Sequence, residues 1–369
     1  MSNSTRRYDL DWLRIFAVLL LIYFHTAAVF YQGELGEFYI TNETKSFALN
    51  LFILFVHQWH MPLFFFLAGA ASWYSLQVRS GWDYFIERVR RLLIPLTVGI
   101  LTLVAPQVYL NRVHQNAFQG SFLEFYPSFF NGIRPTGNFE WAHLWFIAYL
   151  FTLSIAALPI FLRFRKIEHP DSTSFIVLFS LAIPLAIIEA FLRPRWLGFQ
   201  NLYDDWANVL LYFTYLIYGY VLSSSTAFQG ALDRYRSQII SIAVLGMTTL
   251  LIFWITDSVP DRSYSPAYML YQAFRGVNSW FWILTLLSIA RYSLQLQNRY
   301  LQYLSEAAYP IYLIHQTIVV TIAFYVVRWN TSITVKFMVI STTSLMLILL
   351  VYEFLIRRWQ SLRFLFGLK

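Results

Sequence analysis

Four histidines and two arginines of this chain lie where ionisable side chains are expensive, inside long apolar stretches. Arg14 and His25 share the first stretch, eleven residues apart. At 100° per residue, eleven steps return to nearly the same helix face, and the rise separates the pair by roughly 16 Å. One stripe then carries a permanent cation near one membrane surface and an imidazole deeper in. A buried neutral imidazole can take a proton from an attacking hydroxyl, which is general-base chemistry. The bland alternative is that Arg14 snorkels to the interface and His25 bonds a neighbouring helix.

The second stretch holds His57 and His60, whose i, i+3 spacing predicts one side of a helix. A late stretch holds Tyr309, Tyr312 and His315 at the same step. His25, His60 and His315 each fall about a dozen residues into their spans, so the pattern predicts three imidazoles at one depth. A metal site competes for them, since imidazole is the commonest metal ligand. No Asp or Glu lies near that level to supply the usual carboxylate partner, so acid–base chemistry is favoured over a metal.

Arg88 and Arg91, one helical turn apart by spacing, suit a phosphate or carboxylate. They match equally the basic loop that flanks any membrane span. Toward the opposite side lie Glu140, Trp141, His143, Trp145, Glu189 and Arg275. Aromatic rings with a few acids suit sugar contact, and they suit an interfacial aromatic belt as well.

These residues must be positioned by membrane helices. Of 369 residues, 58% are hydrophobic and 12% charged, against roughly a quarter charged in soluble chains. Ten apolar stretches approach the 20 or so residues that span a bilayer: 12–31, 49–76, 92–112, 142–163, 174–192, 206–223, 238–256, 267–291, 303–327 and 333–357. The expectation is an all-α bundle of about ten spans, a single domain over 1–369. Seventeen Lys and Arg flank the spans on one side and eight on the other, Arg14 and Arg275 lying within spans. The positive-inside rule then puts both termini in the cytoplasm. The net charge of +8 is scattered among short loops, which argues against nucleic acid. With no Cys there is no thiolate nucleophile or disulfide framework. The first apolar run lacks a small-residue cleavage site and reads as a retained span. The longest loop, about 113–141, is expected to be partly ordered over a cavity.

The same residues resemble the membrane-bound acyltransferase family 3. Its Arg-ten residues-His marker appears as Arg14 and His25, its Arg-x-x-Arg as Arg88 and Arg91 before Ile94-Pro95, and its late Tyr/His segment as Ala308-Tyr309-Pro310 through His315. The stretches His60-Met61-Pro62 through Gly69, His143-Leu144-Trp145-Phe146, and Tyr352-Glu353 through Phe366 look like the glucan biosynthesis C branch, succinyltransferases of periplasmic glucans. The resemblance covers essentially the whole chain. It implies a bacterial inner-membrane enzyme that moves a succinyl or acetyl group from cytoplasmic acyl-CoA to a hydroxyl of an extracytoplasmic glycan. It carries no resident cofactor. Arg14, Arg88, Arg91, Tyr309 and Tyr312 would face the donor. His25 would be the base, assisted by Arg14, His60 and His315, while His143, Trp145, Glu140 and Arg275 would face the acceptor. The rival readings are a glycan or donor transporter, disfavoured by the lack of an internal repeat, and a non-catalytic partner of a separate transferase.

Overall fold

A computed structural model describes residues 7–33, 40–166 and 172–368. Arg6 and Lys369, which entered the loop-charge count, lie outside them. Among the described residues the structure is helical, and the only β pairing is one isolated bridge, Ile133 with Phe139. Hydrogen bonds closed within each helix are what an apolar surround demands.

Seven helices are long and apolar enough to cross a membrane: Tyr8–Ala28, Phe47–Val78, Gly81–His114, Phe175–Leu192, Arg236–Ile255, Arg299–Val326 and Ile333–Ile356. The other three expected stretches are also helical. Ala142–Ala156 is shorter, while Trp206–Ser223 and Pro266–Ser293 carry buried Asn, Gln, Ser and Tyr side chains.

The chain folds as two compact units, each assembled from discontinuous segments. The first contains residues 1–14, 54–86 and 149–301. Its tightest joint is between His60–Val78 and Trp206–Ser223. A Cβ on Gly69 would fall 2.0 Å from the Leu216 carbonyl oxygen, and one on Gly219 would fall 1.9 Å from that of Phe66. Only a missing side chain on each helix allows the backbones this close. Polar bonds add to the packing: the Tyr215 hydroxyl meets Ser279 Oγ at 2.9 Å, and Trp280 Nε1 donates to the Leu178 carbonyl at 2.8 Å.

The second unit contains residues 15–53, 87–148 and 302–369. Ala27, Ala28 and Ile53 form a small core packed by Phe24, Phe52 and Phe337. Lys336, placed in a loop flank by the sequence, is buried within the helix Ile333–Val351. Its ammonium donates to Asn42 Oδ1 and to the Val327 carbonyl, both at 2.8 Å. The expected order of the 113–141 loop is present. A Ser121/Glu124 capping box starts the helical turn Phe122–Phe125, and Arg112 and Arg134 bond Asn138 and Glu140.

Prolines set three local departures from a plain α-helix. Pro62 lacks an N–H and its ring opposes the carbonyl four residues back, so the helix that ends at His57 restarts at His60. Pro95 has the same effect on Arg91. The turn Val89–Leu93 widens to a π-helix, with the Ile94 N–H bonding the Val89 carbonyl. Pro106 follows a second π turn, Ile100–Val104.

Candidate active site

The second unit brings three imidazoles into a row. The His25 ring lies 5.0 Å from that of His315, and His315 lies 5.2 Å edge-on from His143. All three are buried. Helix periodicity puts His25 on the interior face of Tyr8–Ala28, and Ile311 through Ile314 bury the corresponding face of Arg299–Val326.

Backbone carbonyls fix the rings of His315 and His143. His315 Nδ1 lies 2.5 Å from the Tyr312 carbonyl oxygen, and His143 Nε2 lies 2.9 Å from that of Leu313. A carbonyl accepts only from an N–H, so His315 holds its proton on Nδ1 and His143 on Nε2. His143 Nδ1 then faces the Gln107 amide, 3.5 Å away. Gln107 Nε2 also donates to Thr317 Oγ1 at 2.8 Å, and Thr317 donates to the Leu103 carbonyl at 2.9 Å. The Tyr312 hydroxyl donates to the His143 carbonyl at 2.5 Å, tying the start of the Trp145–Ala156 helix to the late histidine helix.

His25 also lines a small pocket with Gln316, Val29, Ile40, Val319, Val320 and Ala323. One imidazole and one amide on an otherwise apolar wall can orient a hydroxyl beside a base.

In the same unit Arg88 and Arg91 bracket the transition from α- to π-helix. Arg91 Nε approaches Glu87 at 3.6 Å. Both arginines lie within electrostatic range of Tyr309. The Tyr309 hydroxyl is buried with no hydrogen-bond partner among the described residues. The C-terminal turn covers this ring. Gly367 has φ +72°, and a Cβ there would fall 2.6 Å from the Tyr309 ring.

The first unit holds a separate polar cluster. Glu189 bonds Arg193 through both carboxylate oxygens, at 2.5 and 3.0 Å. Arg193 reaches Asn208 Oδ1, and Asp205 accepts from Tyr149, Asn208 and the Gln200 N–H. Burial pushes the Asp205 carboxyl above the usual range. Arg275 bonds only amides among side chains, Gln58 and Gln272, each at 3.2 Å.

The expected residues divide between these places. His25, His143, His315, Tyr312, Arg88, Arg91 and Tyr309 belong to the second unit. Arg14 pairs with Asp11 at 3.4 Å on the helix it shares with His25. His57 ends one helix and His60 starts the next, the interruption at Gln58-Trp59 lying one turn before Pro62. His57 is exposed, while His60 is buried among Trp59 and Phe64. His143 was expected among the acceptor contacts with Trp145 and Glu140. Its ring is the third of the row, and Glu140 is held by Arg134. Gln107 and Thr317 were not singled out. Their only sequence signal is polarity inside apolar runs. Among the described residues no group of three or more His, Asp or Glu is arranged to hold a metal ion.

A row of buried imidazoles beside a pocket, in a multi-pass membrane protein, could serve membrane-embedded group transfer. Residues 7–353 match the family model described as "Acyltransferase domain", Acyl_transf_3, and the chain belongs to that family. Curated relatives named "Glucans biosynthesis protein C" include those of Salmonella paratyphi B (strain ATCC BAA-1250 / SPB7) and Salmonella heidelberg (strain SL476). Each is 29% identical over 171 residues, 44% of this chain and 41% of the relative. The match thus spans about two-fifths of those proteins' length. No solved structure matches this chain.

Proposed function

We propose that this acyltransferase moves a short acyl group, succinyl or acetyl, from cytoplasmic acyl-CoA to a hydroxyl of an extracytoplasmic glycan, from the bacterial inner membrane. The observation that carries this reading is the His25–His315–His143 row opening on the pocket at His25. The ten-span topology with both termini inside belongs to the same proposal and rests on loop charge.

In the proposed mechanism His25 takes the proton from the acceptor hydroxyl as the oxygen attacks the thioester carbonyl. The C–S bond breaks and CoA leaves as the thiol, reprotonated by the imidazolium. His315 holds the ring of His25 from one side, and His143 with Gln107 backs His315. Arg88 and Arg91, with the Tyr309 hydroxyl between the reach of both, receive the anionic part of the donor. Arg14 sits below His25 on the same helix and adds positive charge toward the cytoplasm. His60 lies in the other unit and is assigned no proton transfer here.

The test is purified protein in nanodiscs with acyl-CoA and periplasmic glucan. Free CoA and a glucan mass increase of one acyl group are expected together. Glycan movement across a sealed vesicle with no CoA release would instead identify a transporter.

A further inference from the structure

Arg275 is a cation within a membrane helix, and among the described residues no carboxylate bonds it directly; Glu189, bonded by Arg193, lies within electrostatic range. Arg275 Nε donates to Gln58 Oε1 and its Nη1 to Gln272 Oε1, while Gln58 Nε2 donates back to the Arg275 carbonyl at 2.5 Å. These amides fix the guanidinium plane without neutralising it. Gln58 and Gln272 are buried, so the fork is held by the core of the unit. Arg275 itself is half-buried, and among the described residues its side-chain bonds run from Nε and Nη1.

The charged and titratable neighbours do not cancel it. Glu189 is committed to Arg193 through both oxygens. His57 is exposed beside it, within electrostatic range of Arg275, Arg193 and Glu189. The Tyr271 ring centroid lies 6.0 Å from the guanidinium carbon. A guanidinium in a membrane span that shares its nearest acid with a second arginine is costly. A guanidinium braced by two amides, next to an accessible imidazole, is the geometry that grips an oxyanion.

We infer that Arg275, braced by Gln58 and Gln272 and flanked by His57, is an anion-binding site that takes a carboxylate or phosphate group of the substrate. This deepens the acyl-transfer reading, and the source of the anion rests on that reading. The two candidate sources are a carboxylate and a phosphate.

The experiment reads binding without turnover, so a failure of the transferase reading leaves it intact. Protein in nanodiscs of neutral phosphatidylcholine is titrated with sodium succinate, inorganic phosphate and neutral succinamide, and thermal stability is followed. Succinate or phosphate, but not succinamide, should raise the unfolding midpoint. The anion that acts at lower concentration identifies the source. Arg275→Gln should weaken that response at least about tenfold, the loss expected for one charge-assisted contact. Gln272→Glu provides the guanidinium with an internal carboxylate and keeps the charge balanced. It should fold as well as the parent and lose the anion response. No response to either anion in the parent, or an undiminished response in Gln272→Glu, overturns the assignment.

Discussion

Replacing His25 tests the chemistry most directly. Its ring centroid lies 5.0 Å from that of His315 and stands edge-on to Phe24 at 5.4 Å. His25→Gln keeps a polar group of similar reach, so the change in stability should stay within about 1 kcal/mol, the centre of the range for single substitutions. A positioned general base contributes about 10²–10⁴ in rate. At 1.36 kcal/mol per decade that is roughly 3–5 kcal/mol of barrier, several times the folding cost. His25→Ala should lose as much, and because the vacated ring position adjoins the pocket at Val29 and Gln316, added imidazole should restore part of it. CoA release can be followed with a thiol reagent without background, since the protein has no cysteine. A His25→Gln protein with the parent's thermal midpoint and more than about a tenth of its rate would refute His25 as the base.

Three further outcomes are expected. Tyr309→Phe removes a buried hydroxyl that bonds nothing among the described residues, so thermal stability should hold or rise slightly, while the KM for acyl-CoA rises if the hydroxyl meets the donor; an unchanged KM removes Tyr309 from the donor site. Gly219→Ala drives a Cβ to 1.9 Å from the Phe66 carbonyl oxygen, and the helices must part at a cost of about 1–3 kcal/mol or more, read as a lower unfolding midpoint. Asp233 is held below the usual carboxylate range by hydrogen bonds from Arg291. A depressed carboxyl stabilises the fold above the ordinary Asp range, and that contribution disappears as pH falls through the depressed value. Asp233→Asn should therefore lower the midpoint slightly at neutral pH, by under about 1 kcal/mol at this exposed site, and flatten the acid limb of the stability profile.

Much of the site was legible in the sequence because it sits on single helices. Arg14 and His25 share a helix face by periodicity alone, and the helix Tyr8–Ala28 is unbroken between them. Tyr309, Tyr312 and His315 likewise follow the step of one helix, Pro310 notwithstanding. The pattern failed where proline intervened. His57 and His60 read as one face under 3.6-residue periodicity, but the helix is interrupted between them, one turn before Pro62. Arg88 and Arg91 read as one turn, and Pro95 widens that turn. Both prolines were visible, but whether proline kinks, breaks or widens a helix depends on what packs around the displaced carbonyl.

By itself the sequence determined that this is a helical, multi-pass membrane protein and that Arg14, His25 and His315 are polar residues within apolar spans. Apolar length and helical period are local properties, and water's absence from the bilayer enforces both. Only the tertiary structure decided the third member of the imidazole row. His143 lies 172 residues before His315, at the start of its own helix, and it joins the row because its ring donates to the Leu313 carbonyl while the Tyr312 hydroxyl bonds its backbone. It likewise decided that Arg275 rests on Gln58, more than 200 residues away, and not on an acid. Which buried polar group satisfies which is a property of packed helices, and no spacing along one chain segment encodes it.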